Sequence, residues 1–410
     1  MSRKAVALKI ARCSCYVLFF FFCLWLFYLE STEVLVSDIP THISQALDES
    51  VVTYSALMPL IVLAYHMGAE LGVAVLLACI EVITLLVSEI LMRRLAPEVK
   101  LGVIFVCALC CNIAIAIYVP FVHPYLTRGL SCGNAWHNST YIAMRLLALL
   151  AIWAYLRFQG TLKSERRNLD WAGFTICCIL SAAVKPSFML GFGPAIVGLC
   201  VYDLVHKNER ATEIAIKIAI SFVLTLAVLA YQYMVLYVGD SSSGIELGIA
   251  RLWRRFHHCV PFGMLQSYLL PLIVAYGCAR TKYMDRNYTL AWVYFLISLF
   301  IYLIFNETGS RKLHSNFGWG LKLGIYYLMI TSVIAFFKTV RRSPSSLVSW
   351  VFVAGQASDA LPSADTAATT AQDEYPLTRS FEIAAIIAFA LHTFSGVLSL
   401  ISILMGNGYA

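Results

Sequence analysis

The chain has 410 residues, of which 60% are hydrophobic and 13% are charged, and its mean hydropathy is +0.77. Soluble globular domains are roughly 45–50% apolar and about 25% charged, so this composition excludes a soluble globular protein and indicates that most of the chain lies in lipid. The net charge of +7 comes from basic residues in short clusters between apolar runs. Such clusters orient multispanning membrane proteins, whereas a nucleic-acid-binding surface gathers its basic residues on one solvated face, so nucleic acid is not an expected partner.

The apolar segments predict an all-α, polytopic membrane bundle. A transmembrane helix needs about 20 apolar residues, with about 17 as the usual lower limit. We predict eleven transmembrane helices, at residues 13–29, 70–92, 101–120, 140–158, 171–184, 189–205, 213–238, 265–278, 288–305, 321–338 and 381–405. The chain then divides into a multispan catalytic region at 1–342, a flexible cytoplasmic loop at 343–380 and a last membrane segment at 381–410.

The basic residues assign a side of the membrane to each loop. Four of them precede the first span, and no small-residue cleavage site follows it, so we predict a retained anchor with a cytoplasmic N-terminus. Every short loop then assigned to the cytoplasm carries Lys or Arg, as the positive-inside rule requires, provided that residues 51–69 do not span. These residues are predicted to form an interfacial or re-entrant helix on the outer face.

The first outer loop contains Asp38 and His42. Seven of the nine histidines fall on the predicted outer side, which makes that face the expected site of the chemistry. Asp38 is a candidate general base, and His42 lies on the same face if a short helix begins after Pro40. The alternative is structural, because Ser37 or Asp38 before a proline is a common N-cap.

The second outer segment runs from Cys132 to Thr140 and leads into a span that carries Arg145. Trp136 could stack on a sugar face, His137 could orient a substrate and Arg145 could meet a phosphate in the outer leaflet. The alternative is an interfacial aromatic belt with a snorkelling arginine. Lys185 is a further candidate for phosphate binding, because two short spans meet at this residue in a predicted break that opens to the outer aqueous side.

The third outer segment is an amphipathic stretch that begins at Arg251. On a helix Arg251, Arg254 and Arg255 share one face, and guanidinium groups match phosphate oxygens bidentately. We therefore predict a phosphate or pyrophosphate site. The alternative is simple attachment to anionic lipid headgroups, at about 1 kcal/mol per basic residue.

The fourth outer segment, residues 306–320, is predicted to be a functional loop. Nine of its fifteen side chains are charged or hydrogen-bonding, which a plain connector between two spans does not need. Its candidate substrate-binding residues are Glu307, Arg311, Lys312 and His314.

An N-in anchor, an acidic residue in the first outer loop (Asp38 in SDIPTHI), a following outer interfacial helix and some eleven spans together resemble the GT-C superfamily of membrane glycosyltransferases. The resemblance implies a GT-C-like fold that takes sugars from polyprenyl phosphates on the extracytoplasmic face and transfers them to a glycan, lipid or protein acceptor. It also implies that Asp38 is the catalytic base.

This transfer needs a carboxylate to accept a proton and cations to neutralise the leaving phosphate. Asp38 takes the first role, and His42, His137 and His314 are expected to orient the substrate. A divalent cation, Mg²⁺ or Mn²⁺, could bind between Asp38 and Glu307. The predicted phosphate ligands are Arg251, Arg254, Arg255, Arg311 and Lys312, followed by Lys185 and Arg145.

Two other functions fit parts of the pattern. A transporter or flippase of an anionic or lipid-linked solute would suit the broken spans, but it predicts similar halves and charges at mid-membrane depth. A polysaccharide polymerase or ligase that uses a diphosphate-linked donor would rely on outer Arg and His without a carboxylate. A requirement for Asp38 separates the glycosyltransferase from this last alternative.

Overall fold

The computed structural model describes residues 3–48, 55–238, 244–257, 259–309, 312, 315–341, 346–353 and 379–407. These residues form a helical bundle. Its helices are α1 (Arg3–Ser31), α2 (Ile39–Leu47), α3 (Met58–Leu95), α4 (Leu101–Ile113), α5 (Ser139–Gln159), α6 (Arg167–Val184), α7 (Ser187–Val205), α8 (Ala211–Tyr233), α9 (Arg251–Phe256), α10 (Val260–Arg280), α11 (Arg286–Ile304), α12 (Gly318–Val340) and α13 (Arg379–Ser402). A π-helical turn extends α8 over Met234–Val238 and another extends α13 over Ile403–Asn407.

Within these described ranges nine helices are long and apolar enough to cross a membrane, which supports the predicted multi-pass bundle. Each of the eleven predicted spans overlaps a helix, but two of those helices fall short of a span. One is α4, with 13 residues, and the other is α6, whose first turn carries Arg167 and Asp170. α12 is the most buried of these nine helices, since 94% of an apolar 18-residue stretch within it is buried inside the protein. The GT-C arrangement and the count of eleven spans remain predictions.

The chain bends sharply inside α3, at Gly68 and Ala69, whose backbone angles are not helical. A side-chain carbon added at Gly72 would lie 1.9 Å from the carbonyl oxygen of Ala64, so the two arms of the bend touch and only glycine fits. The short arm, residues 58–67, therefore does not continue the line of the long arm. This geometry matches the prediction that residues 51–69 are separate from the span, and residues 49–54 lie outside the described residues.

The predicted span 101–120 is wrong at its C-terminal end. The helix stops at Ile113, and the next residues are not helical although they are apolar and mostly buried. Side chains from distant helices satisfy the backbone of this stretch: Gln266 Nε2 donates to the carbonyl of Ile117 (2.9 Å), and His392 Nδ1 lies 2.6 Å from the carbonyl of Ile115. Non-helical backbone is tolerated at membrane depth where protein groups satisfy it.

The helix ends fall into two groups that match the predicted sides. At one end of the bundle Asp38 meets residues 137 and 138, and Ser187 meets Asn316. The other end holds the basic residues of the predicted cytoplasmic loops in ion pairs: Arg12 with Glu89, Arg157 with Asp170, Arg286 with Asp203, and Lys338 with Asp285. Which end faces the cytoplasm remains a prediction.

Part of the predicted flexible loop 343–380 is packed. Val348 and Val351 are buried, and Glu382 accepts hydrogen bonds from Ser346 Oγ (3.0 Å) and the backbone N–H of Leu347 (2.8 Å). These apolar residues and their buried carboxylate partner explain why residues 346–353 are fixed. Residues 342–345 and 354–378 lie outside the described residues, so the prediction for them is untested.

A small antiparallel sheet, absent from the sequence prediction, fixes the helix that carries the arginines. Its strands are β1 (Ile245–Leu247) and β2 (Phe305–Glu307). Beyond β1 the backbone N–H of Ala250 donates to the carbonyl of Leu303 (2.7 Å), which ties the start of α9 to the end of α11. On its other side α9 packs against Gly129, which has a φ of +71° and leaves no room for a side chain beside Phe256.

Candidate functional site

Asp38 occupies the N-cap position of α2, but its carboxylate does not cap the helix. Instead Ser37 Oγ accepts the hydrogen bond from the backbone N–H of Ile39 (3.1 Å). Asp38 Oδ2 accepts a hydrogen bond from Asn138 Nδ2 (2.8 Å), and the side chain of Asp38 is 50% exposed. Pro40 lies in the first turn of α2 as predicted. The structural alternative was that the Asp38 side chain serves as the N-cap of α2. It does not apply to Asp38, because its carboxylate makes no capping hydrogen bond.

Asn138 is the centre of this cluster. Its side-chain oxygen caps α5 by accepting from the backbone N–H of Tyr141 (2.9 Å), and it also accepts from Thr140 Oγ1 (2.8 Å). Its amide is thereby oriented, since the oxygen end is fixed and the nitrogen end must point at Asp38. The sequence analysis did not select Asn138, so its role as a hydrogen-bond donor to the candidate base was not predicted.

Two histidines lie beside Asp38. His137 Nε2 is 4.0 Å from Asp38 Oδ2, and His42 Nδ1 forms a hydrogen bond with Ser139 Oγ (2.7 Å). Burial lowers the pKa of each imidazole to about 4, although the Asp38 carboxylate acts in the opposite direction. Both rings are therefore neutral near pH 7 and can exchange hydrogen bonds with a substrate without adding charge.

Lys185, the predicted phosphate ligand at the break between α6 and α7, is buried and belongs to the same cluster. Its Nζ donates to Thr140 Oγ1 (2.9 Å) and to Asn138 Oδ1 (3.4 Å), and it lies 4.6 Å from the centre of the Trp319 ring. Burial lowers the pKa of Lys185 to about 8, and the nearby carboxylates of Asp38 and Glu307 limit the decrease. Lys185 thus contacts both Asn138 and Trp319 and helps to hold their side chains in place.

A cavity of about 370 Å³ opens beside Asp38; we call it the Asp38 cavity. Its walls come from the chain before α2, the loop around Gly129, the chain before α5, α9, α11, and the start of α12 with the residue Ser315 that precedes it. The lining includes Asp38, Arg128, His137, Leu252, Phe256, Tyr302, Ser315, Trp319 and Lys322. The candidate base, a neutral histidine, three aromatic rings and two cations therefore line the same cavity.

The three arginines of α9 point away from this cavity. The helix contributes Leu252 and Phe256 to the lining and buries Trp253, while all three arginines are exposed. Arg251 forms an ion pair with Glu246, the Arg254 guanidinium donates to the carbonyl of Ile249, and Arg255 lies 6.0 Å from the Phe256 ring centre. The predicted shared face exists, but it is the face turned to the surroundings.

Trp136 and Arg145 are placed in the interior. Trp136 is buried against Phe19 and Phe27 of α1, so its ring is part of the helix packing and is not an open stacking platform. The Arg145 guanidinium forms an ion pair with Glu81. It also donates to the side-chain oxygen of Asn134 and lies 5.0 Å from the Tyr326 ring centre. These contacts neutralise its charge within the protein.

The fourth outer segment, residues 306–320, contributes to the Asp38 cavity through residues near its C-terminal end. Both carboxylate oxygens of buried Glu307 accept hydrogen bonds from Asn316, one from the backbone N–H (3.0 Å) and one from Nδ2 (2.8 Å). Lys312 is exposed, and Arg311 and His314 lie outside the described residues. Ser315, Gly318 and Trp319 reach the Asp38 cavity.

The predicted divalent-cation pair, Asp38 and Glu307, gains no support from this geometry. Glu307 already accepts N–H donors at both oxygens, and Asp38 accepts one from Asn138. The carboxylates of Asp38 and Glu307 both act on the Lys185 ammonium group, which raises its pKa against the effect of burial. The described part of the chain contains no cluster of three or more His, Cys, Asp or Glu side chains suited to a metal ion. A metal requirement therefore remains a prediction without a site in these residues.

Lys322 and Glu81 were missed by the sequence analysis. Each is a charged residue inside a predicted span, Lys322 in 321–338 and Glu81 in 70–92. Ionisable residues within a span are rare and usually mark a pair or a functional site. Applied to every span, this rule would have drawn attention to Lys322 and to the pairing of Glu81 with Arg145.

No protein family, curated protein or solved structure matches the chain.

Proposed function

We propose that the protein is a membrane glycosyltransferase that moves a sugar from a polyprenyl-phosphate donor to a glycan, lipid or protein acceptor on the extracytoplasmic face. The observation that supports this most directly is the state of Asp38. Its carboxylate is released from capping, held by Asn138 and half exposed at a cavity that also contains two cations. This combination suits a reaction that removes a proton at one point and stabilises an anion at another.

In the proposed reaction Asp38 accepts the proton of the acceptor hydroxyl. The hydroxyl oxygen bonds to the anomeric carbon of the sugar, and the bond from that carbon to the phosphate oxygen breaks. The electron pair leaves with the polyprenyl phosphate, whose stable anion needs no strong general acid. His42 and His137 are neutral near pH 7, so they can hold sugar or acceptor hydroxyls beside Asp38.

The arrangement favours one-sided chemistry over transport. The polar cluster around Asp38 lies at one end of the bundle, together with the break at Lys185. The ion pair inside the bundle, Arg145 with Glu81, is neutralised internally and does not line the Asp38 cavity. A transport pathway would instead require accessible polar groups along the depth of the membrane.

Replacing Asp38 by Asn tests the proposal. Asp38→Asn keeps the shape and an oxygen that can accept from Asn138, but it removes the base. Loss of a general base typically lowers kcat by about 10²–10⁴-fold. Asp48→Asn is the matched control, because Asp48 is an exposed carboxylate at the other end of α2.

The measurement is transfer of labelled sugar from a polyprenyl phosphate by protein reconstituted in vesicles. The proposal predicts a loss of at least about 100-fold for Asp38→Asn, in line with a lost base, and less than about twofold for Asp48→Asn. Undiminished transfer by Asp38→Asn would exclude Asp38 as the base.

A further inference from the structure

We infer that the Asp38 cavity binds the phosphate of a lipid phosphate through Lys322, with Arg128 as the second cation. The identity of the lipid as a polyprenyl phosphate rests on the proposed function, whereas the anion site rests on the cavity itself. Both cations line the cavity together with Asp38 and Trp319.

Lys322 lies four residues after the start of α12, which places it about 6 Å along the helix axis. It is partly buried and lines the cavity, although it belongs to a helix that is long and apolar enough to cross a membrane. The positive end of the α12 dipole, at Gly318, lies at the same cavity and adds to the attraction for an anion.

The charge of Lys322 has an aromatic partner but no carboxylate partner. Its ammonium group is 5.3 Å from the Trp319 ring centre, and no carboxylate in the described ranges forms an ion pair with it. A charged lysine on an apolar helix is costly unless it is neutralised or hydrated. A bound phosphate would supply the missing negative charge.

Three of the other basic candidates have partners within the protein. Arg145 is neutralised by Glu81, and Lys185 donates to Thr140 and Asn138. Arg251 is paired with Glu246 on the exposed side of α9. Lys322 thus has what these three residues lack, which is access to the cavity combined with an unneutralised charge.

The position of Lys322 also suits the proposed reaction. Asp38, His137 and Lys322 all line the Asp38 cavity, so the candidate base and the anion site share this cavity with the same imidazole. A phosphate at Lys322 places the sugar that it carries in the space shared with Trp319 and His137. Trp319 is then available for contact with the sugar face, the role that the sequence analysis gave to Trp136.

The inference is tested by binding, separately from transfer. Polyprenyl phosphate is titrated into the full-length protein in lipid nanodiscs, with the uncharged polyprenol as the probe for nonspecific chain binding. The variants are Lys322→Met, which keeps a long unbranched side chain without charge, and Lys322→Arg, which restores the charge. Arg254→Gln is the matched control, since Arg254 is an exposed cation of α9. Intact folding is checked for each by a monodisperse gel-filtration profile.

We expect Lys322→Met to raise the Kd for polyprenyl phosphate at least about tenfold, as loss of a charge-assisted contact implies. Lys322→Arg should remain within about threefold of wild type, which corresponds to less than one such contact, and Arg254→Gln should be unchanged. An unchanged Kd for Lys322→Met, or an equal loss of polyprenol binding, would overturn the inference.

Two further measurements complete the test. One distinguishes a lipid phosphate from free phosphate, and the other tests the anion site independently of the proposed function. Inorganic phosphate should displace the lipid from the wild-type protein only at concentrations far above that of the lipid; displacement at equal concentrations would overturn a lipid source. Asp38→Asn should bind polyprenyl phosphate normally while losing transfer. If Asp38→Asn retains transfer but Lys322→Met still loses binding, the proposed role of Asp38 as the base is wrong, whereas the proposed anion site at Lys322 is supported.

Discussion

The ion pair between Arg145 and Glu81 provides a test that separates packing from substrate binding. Both side chains are almost completely buried, at 2% and 1% exposure, and the pair joins α5 to α3. Removing one partner of a buried pair leaves an uncompensated charge and typically costs about 3–5 kcal/mol. Replacing both partners by apolar residues of similar volume is often neutral. Glu81→Met and Arg145→Met should therefore each destabilise the protein strongly, and the double variant should recover most of the loss.

The measurement is the free energy of unfolding in mixed micelles, determined for all four members of the cycle and combined with the transfer rate. We expect a coupling energy of at least about 2 kcal/mol between the two positions, above the range of independent sites. If Arg145 only packs, the double variant should recover transfer together with stability. If Arg145 binds the phosphate, stability returns but transfer does not. Additive losses with no coupling would refute the buried pair.

Three further predictions concern the surroundings of Asp38. Asn138→Ala removes the cap of α5 and should lower the free energy of unfolding by about 1 kcal/mol. Asn138→Ser keeps a capping oxygen without the amide donor to Asp38, so it should lower kcat about tenfold with little loss of stability, as loss of a bond to a charged group implies. The transfer rate should decline above about pH 8, where Lys185 loses its proton. Lys185→Arg should move this decline to higher pH. A decline at the same pH in the variant would contradict the conclusion that it comes from Lys185. His42 and His137 have folded pKa values of about 4, below the unfolded value of about 6.5, so the unfolded chain binds more protons between these limits. The free energy of unfolding should therefore decrease as the pH falls from about 6.5 to 4, and replacing both histidines by Gln should reduce that slope in denaturation curves.

The sequence predicted where helices lie because hydropathy depends on local composition. It also predicted the separation of residues 51–69 from the following span, since the distribution of basic residues required it. It failed at residues 114–118, which are as apolar as a span. Their conformation depends on Gln266, His392 and Ser395, which donate to or accept from their backbone but belong to other helices. Hydropathy carries no information on such long-range bonds.

The site was predicted in part, and the errors share a cause. Asp38, His42 and His137 were selected by residue type and expected side, and they lie close together. The arginines of α9 were selected because they share a helix face. An amphipathic helix packs with its apolar face inward, so Leu252 and Phe256 reach the cavity and the charged face turns away from it. The same periodicity that identified the face therefore also indicated that it would point outward.

Charged residues within membrane helices divide according to where their counter-charge comes from. Arg145 and Glu81 neutralise each other across two helices, so their charges are accounted for within the fold and bind α3 to α5. Lys322 has no such partner in the described part of the chain and lies at a cavity. The sequence presents all three as single charges inside apolar runs, because their partners are far apart along the chain. Only the packing of the helices distinguishes a charge that is paired within the bundle from one that lines a cavity without an ion-pair partner among the described residues. On that basis we place the proposed phosphate site at Lys322 and not at the arginine-rich helix α9.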